Sequence, residues 1–337
     1  MHAITMLNQP EPAEAAIQSS GEFQSECLAL LRGLQNADDG WGFHRDDQSR
    51  VEPTCWAARA LLDSDKRQEA GNFDKVWHFL QSSQLGDGSW PASGGMPTGS
   101  WITSLVCSVL QNDPKSTTYV KAGLKWLCED FPRDSSVLRR FLESLRPKSQ
   151  IVSQNDAYHG WGWTPRTASW VEPTAFALMA LREADPTQLP ANASQRRELG
   201  VALLYDRMCP GGGWNCGNPR VYGVDGDSLV LPTCWALLAL RDAPEKPGRA
   251  LSLAWLQKEF ANIEGAGSLA VARMTLENYG IEPPRAKRDL QAWTALELAE
   301  QGTHVLAWTC MALNPARRWP ASAASANANA ANAEGRA

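Results

Sequence analysis

A Gly-Trp turn followed by an apolar helix recurs down this chain, and no other feature constrains its fold as strongly. The copies read LQNADDGWGFHRDDQSRVEPTCWAARALL from Leu34, LQSSQLGDGSWPASGGMPTGSWITSLVCSVL from Leu80, HGWGWTPRTASWVEPTAFALMAL from His159 and PGGGWNCGNPRVYGVDGDSLVLPTCWALLAL from Pro210. Self-similarity in a fixed order predicts a helical repeat architecture, because each unit can bury its apolar face only against its neighbours. Length alone, at 337 residues, would suggest about two domains. The repeats override that expectation.

Helical segments alternate in character between the termini. One class is amphipathic and charged at helical spacing, over 22–35, 72–84, 116–129, 194–208, 248–261 and 285–298. The other is nearly uncharged and apolar on most faces, over 53–63, 100–111, 173–183, 231–241, 267–279 and 302–313. A helix apolar all round is buried on all sides, whereas an amphipathic one lies at the surface. Strict alternation therefore predicts an all-α fold, an α/α toroid of about six helical hairpins with an inner and an outer ring. No run of β-branched or aromatic residues alternates with period two, so strand signals are weak. Segments five and six lack the Gly-Trp turn. Residues 1–20 read as a flexible N-terminal arm, 21–316 as a single toroid domain and 317–337 as a low-complexity, disordered Ala/Asn tail. The longer linker at 130–158 is expected to hold an extra short helix.

Hydrophobic residues make up 43% of the chain and charged ones 20%, enough for a sizeable core. The net charge of −5 argues against a nucleic-acid surface. No Lys/Arg run marks a polybasic membrane patch, and no apolar stretch of about 18 residues is available to span a bilayer. The N-terminal sequence has neither a basic start nor an apolar core, so a cytoplasmic location is expected. Cys55, Cys107, Cys234 and Cys310 lie inside apolar helical runs and read as buried free thiols.

The turns carry a resemblance. Phe79-Leu80, Gln84, Gly88 and Trp90 have the spacing of the QW repeat, aromatic-Leu-x3-Gln-x3-Gly-x-Trp, of squalene and hopene cyclases. The copy at Gln35, Gly40 and Trp41 is one residue short by this spacing, and the Gly211-Gly213-Trp214 copy lacks the Gln. Over about residues 22–315 the chain resembles the α/α-toroid superfamily of terpenoid cyclases and protein prenyltransferases. Gly suits the position just past a helix C-terminus, where φ is often positive. A Trp beside it covers the end of the hairpin, so Trp41, Trp90, Trp161 and Trp214 read as structural.

The resemblance implies reactive groups at the N-terminal ends of the inner helices, facing a central cavity. Three of these helices open on Pro-Thr, in VEPTCW at 51–56, VEPTAF at 171–176 and VLPTCW at 230–235. Pro fits the first turn and a preceding Glu gains from the positive helix end, so Glu52 and Glu172 have a purely structural reading. They also have a catalytic one. Type II cyclases carry Asp-x-Asp-Asp-Thr-Ala, whose middle Asp protonates an alkene or epoxide. With Thr54 and Thr174 on that Thr, Glu52 and Glu172 fall at the middle Asp. The flanking acids are replaced by Arg50 and Pro53, and by Ser169 or Trp170 and Pro173. Asp225 and Asp227 in VDGDS are a further acidic candidate, although Asp-Gly is also a common turn.

The resemblance to prenyltransferase β subunits brings in zinc, with Glu52, Cys55, Cys234 and His304 as the nearest matches, but the spacing does not make a ligand set. No metal and no cofactor is expected. Arg59 and Arg273 lie within inner helices, where each needs either a carboxylate such as Glu277 or a cavity anion such as a diphosphate. Trp56, Phe176 and Trp235 would line an apolar cavity suited to an isoprenoid, with aromatic faces stabilising carbocations. The leading reading is acid-initiated cyclisation or isomerisation of such a substrate. Related readings are a prenyltransferase-like transferase and a non-catalytic isoprenoid, lipid or scaffold toroid. A carbohydrate-active barrel using Glu52 and Glu172 as paired carboxylates is the third class. The resemblance implies that class II cyclases build their cavity between two toroids, so a single toroid points to a second subunit, a homodimer or a smaller substrate, and peripheral membrane contact would suit an apolar one.

Overall fold

The computed structural model describes residues 19–64, 70–130, 154, 155 and 157–314. Most of the expected arm, the whole expected tail and the 131–153 stretch of the long linker lie outside the described residues. Twelve α-helices are described: α1 (Ser20–Gly33), α2 (Val51–Asp63), α3 (Ala70–Ser82), α4 (Ile102–Leu110), α5 (Thr117–Glu129), α6 (Val171–Glu183), α7 (Ala193–Asp206), α8 (Val230–Leu240), α9 (Pro247–Glu259), α10 (Ala266–Asn278), α11 (Ala295–Gln301) and α12 (Thr303–Ala312). Even-numbered helices carry the apolar segments. Each packs on the next in order, and α12 returns to α2, so the inner ring is closed. Odd-numbered helices pack around it.

The recurrent turn explains why the hairpins repeat. In all four copies the Trp indole N–H donates to a carbonyl near the end of the preceding outer helix: Trp41 to Leu31 (2.8 Å), Trp90 to Leu80 (2.7 Å), Trp161 to Leu127 (2.8 Å) and Trp214 to Leu204 (2.5 Å). The same Trp backbone N–H donates to the Thr hydroxyl in the first turn of the following inner helix, at 2.8–3.0 Å to Thr54, Thr103, Thr174 and Thr233. One residue thus caps a helix-end carbonyl and fixes the start of the next helix.

The first copy is of full length. Gln35 donates to the Asp39 carbonyl as Gln84 does to that of Gly88, both at 2.9 Å. Asp39, at φ 66°, therefore occupies the glycine position that Gly88 fills at φ 91°. At Gly88 a side chain would also meet the Ala122 carbonyl oxygen at 2.8 Å.

Two local expectations are corrected. The sixth outer helix, expected over 285–298, is replaced by irregular chain and the seven-residue α11. Pro283 and Pro284 lack backbone donors, and helix resumes only where Thr294 and Glu297 form a capping box. A short hairpin pairs β1 (Arg220–Val221) with β2 (Val224–Asp225) before α8. Its turn residues Tyr222 and Gly223 both have positive φ, 52° and 77°, as a two-residue hairpin of this hand requires.

Candidate functional site

Four inner helices repeat one arrangement at their N-terminal ends. The sixth residues of α2, α6, α8 and α12 are Trp56, Phe176, Trp235 and Trp308, all buried. Trp56 reaches across the ring to stack on Trp235 at 5.8 Å between centroids, and lies 5.8 Å from Phe176 and 5.4 Å from Trp308. Phe176 and Trp308 pack on Trp235 at 5.0 and 5.6 Å. Since α2 and α8 are opposite in a ring of six, these contacts fill the axis at this level. Trp56, Phe176 and Trp235, expected to line an apolar cavity, form an aromatic floor with Trp308, because large rings at one register meet across so narrow a barrel.

The second residues of the same helices are Glu52, Glu172, Leu231 and His304, one turn above the floor. Glu52 and Glu172 are half-buried. Burial pushes the Glu52 carboxyl up to about 7, and the hydrogen-bonded Trp56 side chain offsets only part of that rise. Burial raises Glu172 as well. A carboxyl with a value near 7 keeps much of its proton at neutral pH and can deliver it. Burial, with His44 nearby, lowers His304.

The loops after the turn Trp residues build the rim. Two residues past three of the four turn Trp, a carbonyl accepts from the start of a neighbouring inner helix: Phe43 from Thr303 (2.7 Å), Trp163 from Trp101 (3.1 Å) and Cys216 from Val171 (3.2 Å). These bonds satisfy helix-start donors and bring Trp101 and Trp163 edge to face at 5.5 Å, with Trp101 also 5.0 Å from Phe176. Arg50, at the α2 N-cap, donates to Ser93.

The other candidates lie elsewhere. Asp227 is exposed, and its neighbour Asp225 forms a 2.6 Å ion pair with Arg220 that lowers its carboxyl. Arg59 sits about two turns below Glu52. There it meets Asp63 at 3.5 Å and Glu183 at 3.9 Å, and donates to the Ser108 carbonyl. Arg273 pairs with Glu277 at 3.0 Å and borders a separate pocket of about 420 Å³ between α10, the start of α1 and the irregular 282–291 chain. Glu52, Glu172, Trp56, Phe176 and Trp235 are thus brought to one end of the ring, Arg59 and Arg273 are not, and Asp227 is exposed in the loop that leads into α8 at that same end. Among the described residues no three His, Cys, Asp or Glu side chains converge as a metal site.

Sequence reasoning passed over Trp308, Trp101 and Trp163. A signal was present for the first: His304-x3-Trp308 repeats the spacing of Glu52-x3-Trp56 and Glu172-x3-Phe176. Trp101 and Trp163 lie in loops whose closeness only the ring creates.

No family model and no curated relative matches the sequence. Among solved structures the chain is similar to a protein from Actinoplanes, at 17% identity and TM-score 0.59 over 88% of this chain and 99% of that one. It is also similar to the type II terpene cyclase MstE from Scytonema, at 12% identity and TM-score 0.53 over 77% and 73% of the two chains. A third is endoglucanase Cel10, a family 8 glycosyl hydrolase from Klebsiella pneumoniae, at 13% identity and TM-score 0.55 over 86% and 99%. The fold is therefore an α/α toroid. At these identities the likeness is one of architecture, which serves unrelated chemistries.

Proposed function

We propose that the protein carries out acid-initiated cyclisation or isomerisation of an isoprenoid at the N-terminal mouth of its inner ring. Glu52 is the acid and Glu172 the second carboxyl of the site. The observation that carries this reading is a glutamate held at about 7 one turn above a floor of four aromatic side chains. A proton donor beside electron-rich ring faces suits the formation and shielding of a carbocation. The likeness in fold to a type II terpene cyclase, a variant of which is seen in complex with geranylgeranyl dihydroxybenzoate, supports it. Because the floor fills the axis, the substrate is a short isoprenoid, or a longer one that stays above Trp56 and Trp235. Its entry from a membrane surface or through a partner subunit is part of the same proposal.

The test is incubation with linear C10 to C20 isoprenoids, as alcohols and diphosphates, followed by gas chromatography and mass spectrometry of the extract. A product isomeric with one substrate, lost in Glu52→Gln, is expected. An unchanged pool would overturn the reading.

One observation favours a second reading as a glycoside hydrolase. The glucanase is matched over 99% of its length, against 73% for the cyclase. Two carboxyls, one raised to about 7, beside the half-buried Trp101 and Trp163 would then cleave a glycan. Release of reducing ends from β-glucan, abolished by Glu52→Gln, would select it.

A further inference from the structure

We propose that His304 is the proton acceptor of this site, so that a proton enters the substrate from Glu52 and another leaves it to His304. The inference rests on the isoprenoid reading above and specifies its reaction class: net isomerisation, with no water added.

The argument is first one of register. His304 is the second residue of α12, the place that Glu52 holds in α2 and Glu172 in α6. Each of the three stands four residues before an aromatic of the floor, and His304 packs edge to face on its own, Trp308, at 4.9 Å. α12 neighbours α2 in the ring, and Trp308 touches Trp56, so the acid and the histidine share one stretch of floor.

The ring is also held in one orientation. Gly302, at φ 130°, lets it fold back: a Cβ there would meet His304 Cε1 at 2.7 Å and Nδ1 at 2.9 Å. Phe43 covers the ring from the rim at 6.3 Å between centroids. Nδ1 is buried on the Gly302 side without a hydrogen-bond partner among the described residues, and no carboxylate pairs with the imidazole there. For Nε2 to accept a proton the neutral ring carries its own on Nδ1. Among the described residues, His44 acts on the ring electrostatically. Burial and the positive end of α12 both oppose a resting imidazolium, so the ring is neutral when a cation forms nearby.

The steps balance. The Glu52 carboxyl gives its proton to one alkene carbon, leaving a carboxylate and a carbocation. Nε2 takes a proton from a carbon next to the cationic centre, and that C–H electron pair becomes the new double bond. The imidazolium returns its proton to the Glu52 carboxylate through solvent at the mouth.

The experiment combines His304→Gln with two readouts. With the isoprenoid turned over in the assay above, wild type in D2O should give an alkene isomer carrying deuterium at the protonated carbon. His304→Gln should lower kcat by about 10²–10⁴-fold with KM little changed, and divert the product towards the water-capture alcohol. Imidazole should restore part of the rate. The second readout needs no turnover: in histidine-labelled protein, dodecyltrimethylammonium, a stable cation on a hydrocarbon chain, should shift the His304 ring signals as it quenches tryptophan fluorescence. An unaltered rate and product in His304→Gln would overturn the acceptor role and leave the isoprenoid reading standing. So would probe binding that leaves His304 unshifted. Absence of any product from wild type would instead remove the isoprenoid reading, and the acceptor role with it.

Discussion

Glu52 carries its chemistry because of where its helix begins. A carboxylate at a helix start is ordinarily favoured by the dipole, yet here burial outweighs that and raises the group to about 7. Two consequences follow at this scale. If Glu52 acts as the proton donor, kcat/KM should fall about tenfold per pH unit above 7, and a pH profile checks it. The folded protein also holds this proton more tightly than the unfolded chain does. The resulting stabilisation is present below pH 4.5 and is lost as pH rises towards 7. Denaturant titrations should show Glu52→Gln gaining on wild type over that interval, by on the order of 2–3 kcal/mol. Gly302 is the other decisive single residue. Gly302→Ala, at positive φ and against the His304 ring, should displace that ring and alter its NMR signals while the remaining histidines stay put.

At the scale of the element, the turn Trp and the helix-start Thr form one hydrogen-bonded clip, repeated in four hairpins. Thr174→Val keeps the shape but leaves the Trp161 backbone N–H buried without its acceptor. A loss of about 1–3 kcal/mol is expected in chemical denaturation, whereas Thr174→Ser should lose less. Asp39 and Gly88 show how much of this element the sequence disclosed. The Gln-to-Trp spacing is identical in both copies, but a search for glycine shifts the first copy's register by one. The left-handed position tolerates Asp, and only the backbone geometry reveals it. The sixth hairpin shows the converse. Charges at helical spacing over 285–298 resembled an outer helix, while Pro283 and Pro284 and the capping box at Thr294 dictated a late, short one.

For the whole molecule, closure is the property that separates this toroid from an open solenoid. Thr303 bonds to Gly42 (2.7 Å) and Phe43, Asn314 to the Asp63 carbonyl (2.6 Å), and Gln24 to the Cys310 carbonyl (2.9 Å), tying the last hairpin to the first. An open solenoid loses a terminal repeat at modest cost, because its energies are nearly nearest-neighbour. Here, ending the chain before α11 would expose Trp56, Trp235 and one face of α2 and α10 together. Such a truncation should abolish the cooperative thermal transition rather than lower its midpoint, as circular dichroism would show. No helix among the described residues is long and apolar enough to cross a membrane.

The repeat by itself determined an inner and an outer layer of hairpin helices, since a wholly apolar helix must be buried and an amphipathic one must face solvent. It also placed Glu52, Glu172, Trp56, Phe176 and Trp235 at matching helical positions, because register within a helix is set by counting. What surrounds those residues was decided by the tertiary structure. That Trp56 meets Trp235 across the ring, that Trp101 meets Trp163, and that Arg59 spends its charge on Asp63 and Glu183 depend on closing six hairpins into a barrel of one diameter. Burial, and with it the raised Glu52 carboxyl, exists only once that ring has closed, because desolvation is a property of everything packed around a group and not of its neighbours in the chain.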